Sequence, residues 1–252
     1  MKLYVIIATM LLLQKTVNAQ FEFLNANPIG TSTYIFKNDF KESTSFTISI
    51  NNIREDKTTE SIIPPGSVLI GKQIWQSINL NVSKYRDGSP IPKVTDPYVW
   101  ATLTTGAYCY YNNDSAAYAK IYGKLYNWHA VNDKRGLCPT GWHVPNKDEW
   151  KVLETTLGGF AIAGGKLKEA GTIHWSNPNA SANNSSGFNA MPAGYRMHKG
   201  NFMSTGLYGL WWSSSEDNGS SALYNYVINN SGSLNVKSSF KQYGFSIRCV
   251  KD

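Results

Sequence analysis

The sequence predicts an α+β domain of few short helices, twisted antiparallel strands and long ordered loops. Three observations predict it. One well-capped amphipathic helix begins after Asn146, the last third of the chain alternates strand-like segments with turn signals, and the stretch between them is polar yet carries many aromatic residues.

The helix is the most legible element. Asn146 follows Pro145, and Glu149 lies three residues on, the spacing of a capping box in which each side chain satisfies the other's backbone donor. Trp150, Leu153 and Leu157 then fall at i, i+3 and i+7, a stripe that needs a core to face. Gly158-Gly159 provides the left-handed stop.

The chain opens with an export pattern: Lys2, an apolar run from Leu3 to Leu13, and Val17-Asn18-Ala19 as a cleavage site, so residues 1–19 read as a signal peptide and Gln20 as the mature start. That run is about half of the roughly 20 residues needed to span a bilayer, no other segment is as hydrophobic, and no cysteine follows the cleavage point to take a lipid. We expect a secreted or cell-surface protein with no transmembrane segment after cleavage. The formal charge is +7, and loss of the leader's two lysines lowers it to +5. The basic residues are scattered, Lys166 and Lys168 being as close a pair as most stretches offer, which excludes the clustered basic face of a nucleic-acid binder.

Residues 20–66 form a polar, β-rich or flexible segment without tryptophan or cysteine. Phe46, Ile48 and Ile50 alternate with Thr47 and Ser49 as a strand, Tyr34 to Phe36 reads as another, and Pro64-Pro65-Gly66 closes the segment. The main domain, residues 67–252, starts with strand around a glycine bend (Val68, Ile70, Gly71, Ile74, Trp75), then a turn centred on Asp87-Gly88. Tyr118, Ile121, Tyr122, Leu125 and His129 fit one helical stripe over residues 116–131 behind an Asp114 cap, although Gly123 costs it about 1 kcal/mol. The stretch 164–212 has few plausible regular elements, and Trp175, Phe188, Tyr195, Phe202 and Tyr208 argue that it is ordered. Four strands should end the chain, Trp211 to Ser214, Leu223 to Ile228, Leu234 to Val236 and Phe245 to Val250, with turns at Asp217-Asn218-Gly219 and Ser231-Gly232.

Three cysteines follow the leader, so an exported chain would pair two and leave one over. Three pairings are possible; joining Cys138 to Cys249 closes a loop of over one hundred residues, worth about 4–5 kcal/mol by chain entropy, and is the pairing we expect. No two cysteines are close enough in sequence to form a zinc knuckle.

Several segments together resemble a known family. Gly-Lys-Gln-Ile-Trp (71–75), Leu-Tyr-Asn-Trp (125–128), Gly-Leu-Cys-Pro-Thr-Gly-Trp-His-Val-Pro (136–145), Gly-Gly-Lys-Leu-Lys (164–168), Ser-Ser-Gly-Phe (185–188), Gly-Tyr-Arg (194–196), Trp-Trp-Ser-Ser-Ser (211–215) and Gly-Phe-Ser-Ile-Arg-Cys (244–249) resemble the Fibrobacter succinogenes major paralogous domain. The resemblance covers residues 68–252 and implies a secreted or surface domain of Bacteroidetes-like bacteria with a C-type-lectin-like fold and no established activity. Val144-Pro145, Asp148-Glu149-Trp150 and Gly244-Phe245 to Arg248-Cys249 are more distantly similar to formylglycine-generating-type enzymes, in which a cysteine before the first segment pairs with the one in the last. Carried over, that too is Cys138 with Cys249.

The same resemblance argues against an enzyme. After that disulfide only Cys109 is left, short of the cysteine pair that copper needs, and His129, His143, His174 and His198 are isolated in sequence, unlike the iron site of the sulfoxide-forming relatives. Ser213, Ser214 and Ser215 lack a Gly-x-Ser-x-Gly elbow, and Glu154 with Glu169 would pair only by an accident of folding. Two binding sites are worth naming. Trp175, Tyr195, Arg196, Tyr208, Trp211 and Trp212 either form an aromatic platform for sugar rings or fill the core of a domain poor in Leu and Val. Glu216, Asp217, Asn218 and Ser220 either hold calcium or form a plain polar turn. Asp114-Ser115-Ala116 resembles a Bacteroidetes O-glycosylation acceptor. The expected function is a binding or adhesion domain for a glycan or surface protein, with no cofactor unless calcium; the alternatives are an enzyme with an unrecognised site on the formylglycine-generating scaffold, or a purely structural surface component.

Overall fold

The computed structural model describes residues 20–23, 31–37, 43–49 and 63–252, and the expected leader lies outside the described residues. The chain divides into two units, Met1–Ser61 and Ile62–Asp252. In the first, β1 (Gln20–Phe23), β2 (Thr31–Lys37) and β3 (Ser43–Ser49) form an antiparallel sheet in sequence order, with Gln20 opposite Lys37 and Thr31 opposite Ser49. The strand expected at Tyr34 to Phe36 falls within β2, and Phe46 and Ile48 of the other fall within β3, while Ile50 lies outside the described residues.

The second unit is α+β. Its hairpin of β4 (Ser67–Ile70) and β5 (Gln73–Gln76) turns at Gly71, where φ is +62° and a Cβ would sit 2.8 Å from the Thr156 side chain. The Asp87-Gly88 turn forms as expected, with the Tyr85 amide donating to the Ser89 carbonyl. Helix α1 (Pro97–Ala101) starts on an Asp96 cap and leads to β6 (Tyr108–Cys109).

The single helix expected over residues 116–131 is three elements. Asp114 caps α2 (Ser115–Tyr122), then come β7 (Leu125–Tyr126) and α3 (Trp128–Val131). Long-range pairing overrides the helical stripe. Gly123 at φ +72° lies so close to the backbone of Leu80 that a Cβ would be 2.9 Å from its carbonyl oxygen, and Lys124 and Tyr126 donate their amides to the carbonyls of Leu80 and Phe245.

Next come β8 (Trp142–His143), α4 (Lys147–Thr156) and α5 (Phe160–Leu167). The capping box of α4 is complete: Asn146 accepts from the amides of Asp148 and Glu149, and Glu149 accepts from that of Asn146. Gly158 and Gly159, at φ +97° and +92°, end the helix. The stretch 164–212 is ordered and nearly free of regular structure beyond the two-residue strands β9 (Tyr195–Arg196) and β10 (Phe202–Met203). The expected meander forms from β11 (Tyr208–Asn218), β12 (Ser221–Ile228) and β13 (Asn235–Phe240).

Residues 245–250 are not the expected strand. They thread between five neighbours: Phe245 bridges Tyr126, Ser246 bridges Trp211, the carbonyls of Ile247 and Cys249 accept from Leu80 and Gln76, and only β14 (Val250–Lys251) joins a sheet, ordered β4-β5-β14-β8. Among the described residues no helix is long and apolar enough to cross a membrane.

The core is built from tryptophan. Seven of the eight tryptophans are at most 2% exposed, which compensates for the scarcity of aliphatic side chains. Trp150, Leu153 and Leu157 of α4 pack with Trp75, Trp211 and Phe188 in one cluster, and Trp128, Trp212 and Phe245 surround the disulfide in another. That disulfide joins Cys138 to Cys249, with Cα atoms 6.1 Å apart. Cys109 is free and buried, and burial pushes its thiol up to about 12, so it stays protonated and inert.

Three fully buried cations order the loops. Lys168 Nζ donates to the carbonyls of Ala180, Ile228 and Ser231 at 2.8–2.9 Å. Arg196 donates to the carbonyls of Gly200, Val94 and Thr95, with its guanidinium 4.4 Å from the Trp100 ring. Arg248 donates to the carbonyls of Gln76 and Phe188 and to Asn79 Oδ1. A buried charge is tolerable only when most of its donors are satisfied, and here backbone oxygens, joined by Asn79 Oδ1, satisfy all but Nε of Arg248. Each cation therefore fixes two or three loop strands at once.

Candidate functional site

Strand alternation builds the site. Along β12, Tyr224 and Tyr226 point to one face while Asn225 and Val227 are buried on the other. Register adds Trp212 opposite Tyr224 and Leu210 opposite Tyr226, and Tyr208 starts β11 on the same side. Tyr195 of β9 and Tyr243, after β13, complete a group of five half-buried tyrosines packed on the Phe245 cluster.

Their rings form two groups that meet on the buried Phe245 ring, which lies 4.6 Å from Tyr224 and 5.6 Å from Tyr243. Tyr208 stacks on Tyr226 at 6.2 Å and 27°, Tyr226 lies 5.7 Å from Tyr224, and Tyr195 lies 6.1 Å from Tyr243. His198 continues the row, 5.3 Å from Tyr243 and 5.1 Å from Phe240, which is 48% exposed. Lys237 stands 5.8 Å over Tyr226. Burial, and then the neighbouring phenols of Tyr226, Tyr195, Tyr243 and Tyr208, push Tyr224 up to about 12. Burial also raises Tyr195. Both hydroxyls stay neutral, able to donate as well as accept.

The expected platform is thereby divided. Tyr195 and Tyr208 belong to the open face, whereas Trp175, Arg196, Trp211 and Trp212 are at most 1% exposed and fill the core. Their polar atoms are spent inside: the indole N–H groups of Trp175, Trp211 and Trp212 donate to the Ala190 carbonyl, Asn79 Oδ1 and the Tyr126 carbonyl. Tyr224, Tyr226 and Tyr243 were missed, although alternation in Leu223 to Ile228 was the signal that could have found two of them.

The proposed calcium ligands sit in and beside the exposed β11–β12 turn. The Glu216 carboxylate pairs with Lys241, Asp217 Oδ2 accepts from the Asn218 side chain, and Asn218 Oδ1 accepts from the amides of Ser220 and Ser221. These oxygens hold the turn together. Among the described residues no group of three His, Cys, Asp or Glu is arranged to hold a metal ion.

Two histidines that are isolated in sequence gain carboxylate partners. His143 Nδ1 lies 2.6 Å from Asp252 and Nε2 2.7 Å from Glu149, the capping residue of α4. Burial lowers its pKa, but the hydrogen bonds to Asp252 and Glu149 outweigh it and the net shift is upward. With both nitrogens occupied it is a clamp between α4 and the end of the chain. His174 pairs through Nδ1 with Glu169, so Glu169 is remote in role from Glu154, which pairs with Lys151. His129 is lowered by burial and by Lys241. The serine run anchors α4: the Ser214 amide donates to the Pro145 carbonyl, and Ser215 Oγ accepts from the Lys147 amide. Ser115 is exposed in the first turn of α2.

No curated protein and no solved structure matches the chain. The family model described as the Fibrobacter succinogenes major domain matches residues 68–251, a span that holds the capped helix, the disulfide, all three buried cations and the tyrosine face. The chain belongs to the Fibrobacter succinogenes major domain family.

Proposed function

We propose that the protein is an exported binding or adhesion module, without catalytic activity, whose contact surface is the tyrosine face and whose ligand is a glycan or a surface protein. The observation that carries this reading is the gathering of Tyr195, Tyr208, Tyr224, Tyr226 and Tyr243, partly exposed, over the Phe245 cluster, from the β11-β12-β13 sheet, from β9 and from the segment after β13. Half-buried tyrosines offer broad contact area with a hydrogen-bonding tip at low entropic cost, and their ring faces suit sugar rings. Export is supported by the leader pattern of residues 1–19. A C-type-lectin-like or formylglycine-generating-enzyme-like fold belongs to the same proposal, supported by the disulfide tying the segment before α4 to the last strand. Calcium at Glu216 would have to displace Lys241, so binding in this reading is cofactor-free.

The test is a glycan array probed with the wild-type protein and with the Tyr224→Ala/Tyr226→Ala variant. We expect a subset of glycans to be bound, and the variant to bind them at least roughly tenfold more weakly. Undiminished binding by the variant would rule out this face as the contact surface. Empty arrays leave the protein-ligand branch, tested by photocrosslinking from position 226 on intact cells.

A further inference from the structure

A second site shares no residue with the tyrosine face. A cleft of about 350 Å³ runs along α2 and is lined by Ile78, Ile121, Met191, Glu169, His174 and Asn189 among others. Ile78 and Ile121 are 65% and 41% exposed, large apolar side chains left open at the mouth of a hollow. The same cleft is lined by an oriented imidazole. His174 Nδ1 lies 2.8 and 2.9 Å from the two oxygens of Glu169, and the Tyr122 ring stands edge-on to it at 5.9 Å. Glu169 is itself held, its amide donating to the Ala190 carbonyl and its carbonyl accepting from Asn179.

This arrangement sets the tautomer. A carboxylate only accepts, so Nδ1 carries the proton, and whenever the ring is neutral Nε2 is left as an acceptor. Asn189 also lines the cleft, its amide held by Asn184 Oδ1. The size is that of small-molecule sites, largely apolar with a few placed polar groups.

We propose that this cleft binds a small neutral molecule with an apolar body and one hydrogen-bond donor, such as a phenol or a compact alcohol. Ile78, Ile121 and Met191 hold the body, and His174 Nε2 accepts the donor's hydrogen. A ligand without a donor would leave Nε2 without a hydrogen bond, and the charges lining the cleft, Glu169 and the exposed Lys120, give an anion no net advantage over a neutral ligand. The inference is independent of the reading of the tyrosine face.

The test uses p-cresol and p-methylanisole, which share a ring and methyl group but differ in the hydroxyl proton, titrated into the protein labelled at its Ile and Met methyl groups. We expect saturable shifts at Ile78, Ile121 and Met191 with p-cresol, and at least tenfold weaker binding of p-methylanisole. His174→Ala should remove the preference for p-cresol, and Ile121→Ser, a surface change on α2, should weaken both probes. No saturable shift at those methyls, equal affinity for the two probes, or a preference that survives His174→Ala would each overturn the proposal.

Discussion

Trp212 and Tyr224 face each other across β11 and β12, yet one is sealed in the core and the other is half open. Their polar handles account for the difference. An indole carries a single N–H that a backbone carbonyl can satisfy, as Tyr126 does for Trp212, so a tryptophan can be buried whole. A phenol that both donates and accepts is better served when its tip reaches water. Seven tryptophans therefore lie in the core, whereas the tyrosines divide: Tyr126, its hydroxyl donating to the Val82 carbonyl, is as buried as Trp212, while Tyr195, Tyr208, Tyr224, Tyr226 and Tyr243 stay partly open, so ring content alone could not separate scaffold from surface.

This comparison breaks first under truncation. Trp211→Ala should cost about 3–5 kcal/mol in denaturant unfolding, because it empties a fully buried indole and removes one of the two donors to Asn79 Oδ1. A loss under roughly 1 kcal/mol would mean the tryptophan cluster is not the core. Lys168→Met comes next, at about 2–3 kcal/mol, since three part-buried carbonyls lose a charged donor. Its signature is local: amide exchange should speed up across residues 180–231 before it does in α4, and uniform exchange would refute the stapling role. Tyr226→Ala should cost about 1 kcal/mol or less, as expected of a half-buried ring. A loss as large as that of Trp211→Ala would return the tyrosines to the core.

The smallest effect concerns pH. The folded pKa of His143 is raised above its ordinary 6.5, so its contribution is complete below that value and disappears as pH rises through the raised one. The site is partly exposed, which keeps the effect to well under 1 kcal/mol. Stability measured across this window should fall slightly in the wild type and stay level in His143→Phe; a rise would contradict the sign.

Much of the fold was legible because its signals are local. The Asn146 and Glu149 box, the Gly158-Gly159 stop, the Asp87-Gly88 turn and the β11 to β13 meander each depend on a few adjacent residues whose backbone preferences agree with the final structure. The misread segments are those with partners far away in the chain. Residues 116–131 have a helical stripe, but Tyr126 pairs with Phe245; residues 245–250 alternate like a strand, but their neighbours come from separate parts of the chain. Half of the site suffered likewise. Tyr195 and Tyr208 were named among six aromatic or basic candidates, and nothing in the sequence separates them from Trp175, Trp211, Trp212 and Arg196, whose burial depends on which acceptors the fold brings within reach.

The sequence by itself therefore determined the family, the capped helix, the long ordered loops and the Cys138 to Cys249 bond, because caps and turns are short-range and the family resemblance singles out that pair. Tertiary structure alone decided which aromatic rings open to solvent, which cations go inside, and that His174 acquires Glu169 at the wall of a cleft. Those outcomes depend on burial and on distant hydrogen-bond partners, and neither is a property of any one stretch of chain.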